Sequence, residues 1–283
     1  MISRTGFQRR TVIKVREGHR QQTKDAVVVE EPLEIRLATQ GDTHSIPLAT
    51  VMRTPGADVE LAAGFLFSEG IIRERCDIAT IRYCLDADRD EEARFNTLIV
   101  TLRSALEINL DHVRRLFFVS SSCGVCGKIS LESLRLRGCT PLNDHPLIRV
   151  SSTVLTGLDR KVQQAQALFT RTGGLHAAAL FSPDGQLYSL HEDIGRHNAV
   201  DKLIGEYLLN ERRDLLAQSM LMVSGRASFE IMQKALMGRI PIVVAVGAPS
   251  ALAVSLAQQF NITLIGFLRG ASFNIYAGAE RIE

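Results

Sequence analysis

A surplus of charge of either sign is nearly absent. The 283 residues carry 33 Lys and Arg against 31 Asp and Glu, a net charge of +2 at pH 7. No global field therefore argues for nucleic acid or a membrane surface as partner. Long hydrophobic runs are absent too. The longest apolar stretch, IPIVVAVGAPSALAV, is interrupted by Gly247 and Pro249 and falls short of the about 20 apolar residues that span a bilayer. No apolar segment follows the basic start, so no secretory signal is expected. Cysteines number only five, unevenly spaced, which fits reduced thiols better than a disulfide framework. The expectation is a soluble, cytoplasmic protein. A Walker A sequence is missing, and no G-x-G-x-x-G follows a strand, which argues against ATP hydrolysis and dinucleotide redox chemistry. There is no internal repeat and no low-complexity segment.

What is present is an ordinary globular composition, 46% hydrophobic and 23% charged, of a length for one large domain or two ordinary ones. Residues 1–24 stand apart: Arg4, Arg9, Arg10, Lys14, Arg16, Arg20 and Lys24 face the single acid Glu17. This reads as a basic, disordered arm; the other reading is a docking arm for an acidic partner. Residues 25–115 read as a small α+β domain with an antiparallel sheet. Its strand signals are VVVEEPLEIRLAT, SIPLATVMRT, ATIRYCL and NTLIVTLR. Its helix is DVELAAGFLFSEG, with Asp58 as cap, Leu61, Ala62, Phe65 and Leu66 on one face, and Gly70 as stop. Residues 116–150 form a connector: a buried strand LFFVS, the stretch SSCGVCGK, a short helix from Ser130 to Arg137, and turns.

Residues 151–283 read as an α/β domain. It opens with one amphipathic helix, SSTVLTGLDRKVQQAQALF, and a hairpin turning at Pro183-Asp184-Gly185. A helix capped by Asn198 follows, and then strands alternate with helices. Apolar strands at 220–223, 242–246 and 263–267 imply a parallel sheet covered on both faces. Three of them end in small polar turns: SGRAS (224–228), GAPS (247–250) and RGAS (269–272). Ligands of open parallel sheets bind at that edge, where glycines admit phosphate and helix N-termini attract it. Ser224 and Gly225, with the guanidinium groups of Arg226 and Arg269, therefore point to an anionic ligand such as a nucleotide. In HEDIGRHN (191–198) the histidines are six apart, too far for one zinc-binding helical face. Asp193 or Glu192 orienting His197 as a general base is one reading, a hydrogen-bonded loop the other. His176, in GGLHAA, reads as structural.

Cys123 and Cys126 admit three chemistries. Zinc needs a second close pair, and Cys76 and Cys84 do not supply one. A redox pair belongs at a helix start, which this pair precedes by several residues. A glycine- and serine-flanked pair near Lys128 suits a swinging thiol that takes a sulfane sulfur and hands it on.

Taken together, RTPGADVELAAGFLFSEGII (53–72), SSCGVCGK, GGLHAAALF, HEDIGRHNAVDKLIG, SGRASFEIMQKA and GFLRG resemble, in that order, the FdhD family of formate dehydrogenase accessory sulfurtransferases. The resemblance runs from about residue 25 to the end. It implies sulfur accepted from a cysteine desulfurase as a persulfide on Cys123, with Cys126 assisting. The sulfur would then pass to the molybdenum cofactor in its bis-molybdopterin guanine dinucleotide form, for formate dehydrogenase. It places cofactor binding on Phe267, Leu268, Arg269, Gly270, Ala271 and Ser272, where GDP- or GMP-like nucleotides are expected to fit. It also implies a homodimer and a cytidine-deaminase-like mixed sheet with helices on both faces. Ala178 stands where a deaminase would have its H-x-E glutamate, so no metal is expected. A cofactor chaperone without thiol chemistry and, further off, a zinc deaminase-like hydrolase are the competing functions.

Overall fold

The structure is a computed structural model describing residues 6–84, 91–103, 139–143 and 148–283, with the single positions 131 and 134. The basic N-terminus is not a frayed coil. β1 (Phe7–Arg16) and β2 (His19–Val28) pair antiparallel from end to end. Glu17 and Gly18 join them with φ of 49° and 81°, the two positive values that a two-residue hairpin turn requires. Charge hid this ribbon from the sequence reading. Most of its positions are exposed, so its pairing rests on backbone hydrogen bonds and β-branched residues rather than on an apolar stripe.

β3 (Glu31–Thr39) and β4 (Ile46–Arg53) are followed by α1 (Asp58–Ser68), β5 (Ile78–Tyr83), α2 (Glu91–Phe95) and β6 (Thr97–Leu102). The sheet order is β4-β3-β6-β5. It is mixed rather than antiparallel, because β3 and β6 run parallel. Leu33, Ile35, Leu37, Leu98, Val100 and Leu102 are buried at alternate positions, as a half-covered sheet demands. α1 ends at Gly70 as expected. Gly70 takes φ +73°, its N–H bonds Phe67 O, and the Ile71 N–H bonds Leu66 O, which satisfies the last carbonyls. Asp58 does not cap the start. It is the first helical residue, behind Ala57 in a left-handed conformation. Its carboxylate instead accepts from Nε and Nη2 of the fully buried Arg53 at 3.0 and 2.9 Å.

The long helix expected after residue 151 is three short ones, α3 (Ser152–Leu155), α4 (Leu158–Ala165) and α5 (Ala167–Thr172), broken at Gly157 and Gln166. Then come β7 (His176–Phe181), β8 (Leu187–Asp193), α6 (Arg196–Leu209), α7 (Arg213–Leu216), β9 (Met220–Val223), α8 (Phe229–Met237), β10 (Ile242–Ala245), α9 (Ala251–Gln259), β11 (Thr263–Arg269) and β12 (Ser272–Ala277). The six-stranded order is β12-β11-β10-β9-β7-β8. Only β9, β10 and β11 run parallel, so the chain is a mixed α/β protein. Ala178, Leu180, Leu221, Val223, Val243 and Leu264 face the larger apolar cluster. Ala177, Ala179, Met220, Met222, Val244 and Ile265 face the smaller one, with Leu155, Leu158 and Val162.

The larger cluster also takes in Leu33, Ile35 and Leu98 of the first sheet. α1 and α6 cross within it at two glycines. A Cβ on Gly64 would lie 1.9 Å from Asp201 O, and one on Gly205 1.9 Å from Glu60 O. No side chain fits between these backbones. Two buried ion pairs flank the crossing. Lys234 Nζ meets both Asp201 oxygens at 2.8 Å, with Ser68 Oγ donating to Asp201, and Lys202 Nζ lies 2.7 Å from Asp193.

Candidate functional site

The ends of β9 and β10 are fused by backbone hydrogen bonds. Val246 N–H donates to Val223 O, Gly247 N–H to Gly225 O at 2.9 Å, and Ser250 N–H to Ala227 O at 3.0 Å. Gly247 permits this, since a Cβ there would fall 3.0 Å from Gly225 O. The next strand joins through Phe267 N–H to Gly247 O at 3.2 Å. α8 and α9 start from these turns with Ser228 and Ser250 as caps. Ser250 Oγ accepts from Ala253 N–H, whereas Ser228 Oγ lies 3.2 Å from His197 Nε2. The first two turns and the bend at Phe267 thus form one ledge, where a helix N-terminus adds partial positive charge.

RGAS is not part of that ledge in the way expected. β11 is followed by a strand rather than a helix, so Gly270 and Ala271 make a hairpin turn between Arg269 and Ser272. That turn docks on the start of α4: Gly270 N–H donates to Asp159 Oδ2 at 2.9 Å, and Gly157 N–H to Gly270 O. Phe267 takes φ 56° and is 42% exposed, and Arg269 is exposed. Leu268 between them is buried in the smaller cluster, where its side chain contributes packing. Ser224 is also spent on structure: its N–H donates to Ala177 O, and its Oγ accepts from Ala177 N–H at 2.8 Å. Gly225 and the exposed Arg226 remain open to a ligand.

HEDIGRHN is divided among several jobs. His191 Nε2 lies 2.7 Å from Glu206, and Glu192 accepts from Leu168 and Phe169 N–H at the start of α5. Asp193, fully buried, accepts from Thr54, Gly195 and Asn198 besides pairing with Lys202. Asn198 consequently lies inside the first turn of α6, with Gly195 as the cap. Neither acid orients His197, so the general-base arrangement does not form.

What does form was not foreseen. β9 lies directly beside β7, which brings His176 and the start of α6 against the first turn. A Cβ on Gly225 would stand 3.3 Å from His176 Nδ1 and 3.9 Å from Arg196 Cδ. His176 is held below its ordinary range by partial burial, then by the Arg196 and Arg226 charges. His197 is pushed down to about 4 by burial, then by Arg196 and Lys234. Burial pushes Glu230 up, but its own N–H, the Ser228 hydroxyl and His197 outweigh this and leave it lowered. Arg196 Nε is buried without a hydrogen-bond partner, and neither Arg196 nor Arg226 makes an ion pair among the described residues. Neutral imidazoles beside two guanidinium groups that make no close ion pair, with the Glu230 carboxylate within the field of Arg196, make a ledge that can take an anion at Arg226. Only the strand order, which no local pattern reveals, could have signalled it.

Cys123 and Cys126 lie outside the described residues. Among those described, Cys76 is exposed, Cys84 is buried, and Cys139 Sγ sits 3.5 Å from Met237 Sδ. No group of three or more His, Cys, Asp or Glu is placed to hold a metal among the described residues. No helix among them is long and apolar enough to cross a membrane.

Comparison with known proteins gives a consistent picture. Residues 28–283 match the model of the FdhD/NarQ family. The chain is 49% identical over 276 residues to the sulfur carrier protein FdhD of Streptomyces coelicolor, covering 97% of this chain and 95% of that one. It is 42% identical to that of Sulfurisphaera tokodaii, covering 96% and 97%. A crystal structure from Desulfotalea psychrophila, described as that of a candidate formate dehydrogenase accessory protein, superposes with a TM-score of 0.74 at 25% identity, over 99% of this chain and all of the other. With its full mixed sheet, its ledge and its C-x-x-C inside the matched span, this chain belongs to the FdhD/NarQ family.

Proposed function

We propose that the chain is a sulfur carrier for formate dehydrogenase, acting as a cytoplasmic homodimer with a cysteine desulfurase as donor. The Cys123 thiolate attacks the terminal sulfur of the donor's persulfide. The donor's S–S bond breaks, its cysteine leaves as a thiolate, and Cys123 holds the sulfur as a new persulfide. Attack by the Cys126 thiolate on that outer sulfur would move it across the pair and free Cys123. The acceptor is the molybdenum cofactor as bis-molybdopterin guanine dinucleotide, a substrate whose phosphates suit the guanidinium groups of Arg226 and Arg196. Phe267, Arg269, Gly270, Ala271 and Ser272 border the same sheet edge.

The observation that carries the reading is the pairing of a C-x-x-C with near full-length likeness to proteins described as sulfur carriers. The exposed Arg226 and the unpartnered Nε of Arg196 support the cofactor half. Intact mass spectrometry after incubation with a cysteine desulfurase and cysteine tests it. One reductant-sensitive sulfur should be gained and should vanish in Cys123→Ala. If Cys123→Ala still supported full formate dehydrogenase activity, the thiols would be dispensable and the protein would be a cofactor chaperone.

A further inference from the structure

The β1–β2 ribbon lies ahead of the family match, which begins at residue 28, and the sulfur-transfer reading gives it no task. Its base is fixed to the body. Arg171 stacks over the Phe7 ring at 5.3 Å, and a Cβ on Gly6 would lie 2.9 Å from Leu168 Cδ1. Beyond that base the ten-residue strands stand in solvent, a reach of about 30 Å.

The ribbon carries Arg9, Arg10, Lys14, Arg16, Arg20 and Lys24 against Glu17 and Asp25, more net charge than the whole chain has. The register sorts them. Arg9 opposes Ala26, Thr11 opposes Lys24, Ile13 opposes Gln22 and Val15 opposes Arg20, so these residues share one face. That face holds three cations, no carboxylate, and two aliphatic side chains exposed at 67% and 59%, Ile13 and Val15. The two-stranded sheet has no further strand among the described residues, so both outer edges present unpaired backbone groups.

We infer that this ribbon is a docking arm for an acidic protein segment in extended conformation, which adds as a strand to an outer edge. Its carboxylates would meet Arg9, Arg20 and Lys24, and its apolar residues Ile13 and Val15. Charge decides against a second copy of this chain, whose ribbon would bring six more cations. It is the same device by which natural edge strands avoid pairing with themselves. Single-stranded nucleic acid wants several aromatic platforms, whereas β1 and β2 hold one Phe, no Tyr and no Trp; Phe7 is covered by Arg171, which leaves only the His19 imidazole at the turn. A membrane surface wants cations and apolar residues on separate faces, whereas here Ile13 and Val15 stand among cations on one face and Arg10, Lys14 and Arg16 lie on the other.

The test titrates the full-length protein into fluorescein-labelled (Glu-Val)4, followed by anisotropy. Parallel arms use (Lys-Val)4, a single-stranded DNA of about 20 nucleotides, long enough to span a typical binding module, and phosphatidylglycerol vesicles. Binding of the acidic peptide alone is expected, weakening from about 0.1 M to about 1 M salt, with amide shifts along one outer edge in NMR spectra. R9Q/R20Q/K24Q should weaken it about tenfold or more while the melting temperature and Cys123 persulfide loading stay unchanged. I13S/V15S, which leaves every charge in place, should weaken it too, and serves if the first variant disrupts the ribbon. Equal binding of the lysine peptide, tighter binding of DNA or vesicles through the same residues, no binding at about 1 mM peptide, or dimerisation abolished by R9Q/R20Q/K24Q would each overturn the inference.

Discussion

Gly64→Ala is the sharpest probe of how the two sheets are joined. The added methyl would sit 1.9 Å from Asp201 O, 2.7 Å from Asp201 C and 2.9 Å from Gly205 N, where ordinary contact begins at 3.4 Å. α1 and α6 must therefore part by about 1.5 Å, the difference between those two figures. All three opposing atoms are backbone, so no rotamer change relieves the clash. Overpacking of a core costs about 1–3 kcal/mol, and this site belongs at the upper end. Alanine returns about 1 kcal/mol through its better helix propensity, leaving a net loss of about 2 kcal/mol. For a chain of this size that lowers the melting temperature by about 4–8 °C. Gly205→Ala meets Glu60 O at the same 1.9 Å and should behave alike. A single displacement relieves both clashes, so the double variant should lose less than the sum of the singles by about 0.5 kcal/mol or more. Differential scanning calorimetry of the four proteins decides the matter. An unchanged melting temperature in either single variant, or strict additivity, would refute the close crossing.

Three further outcomes follow from the geometry. Asp193→Ala leaves the buried Lys202 ammonium without its counter-charge and should cost about 3–5 kcal/mol by urea unfolding; a loss below about 1 kcal/mol contradicts the pairing. His197 protonates at about 4 when folded, against 6.5 for the free side chain. As pH falls the unfolded chain takes up this proton first, so the contribution is complete above about 6.5 and disappears toward about 4. With the ring 34% exposed, solvent screening holds the effect to about 1–2 kcal/mol. His197→Gln should flatten the stability curve over that window, and an equally steep fall in the variant would speak against it. Arg226→Gln should weaken GDP binding about tenfold in calorimetry, the loss of one charge-assisted hydrogen bond, without altering the melting temperature; unchanged affinity would remove Arg226 from the site.

Legibility followed the range of the forces involved. Gly70 was readable because a left-handed helix stop is local chemistry, and the alternation of β3 and β6 was readable because one face must be buried. Asp58 and Asn198 looked like helix caps, but more distant partners hold them, Arg53 for one and Asp193 with Met52 for the other. β12 went unseen because a turn after β11 reads the same whether a helix or a strand follows. The ledge was half visible: Gly225 and Arg226 stand out as a glycine-rich turn, whereas His176 and Arg196 join them only through the adjacency of β7 and β9. The ribbon was missed for the opposite reason, since residues that face only water leave no hydrophobic periodicity to read.

The kink at Phe267 carries a consequence for engineering. Ile265 and Leu268, three residues apart, are buried in the same apolar cluster, which an evenly pleated strand would forbid. The pairing with β12 slips by one residue between Gly266 and Arg269, so Phe267 is a supernumerary residue standing outside the pleat. Excising it would restore strict alternation with Leu268 still pointing inward. The core, in other words, has no use for that ring, and a shortened chain should fold as well while presenting a barer rim.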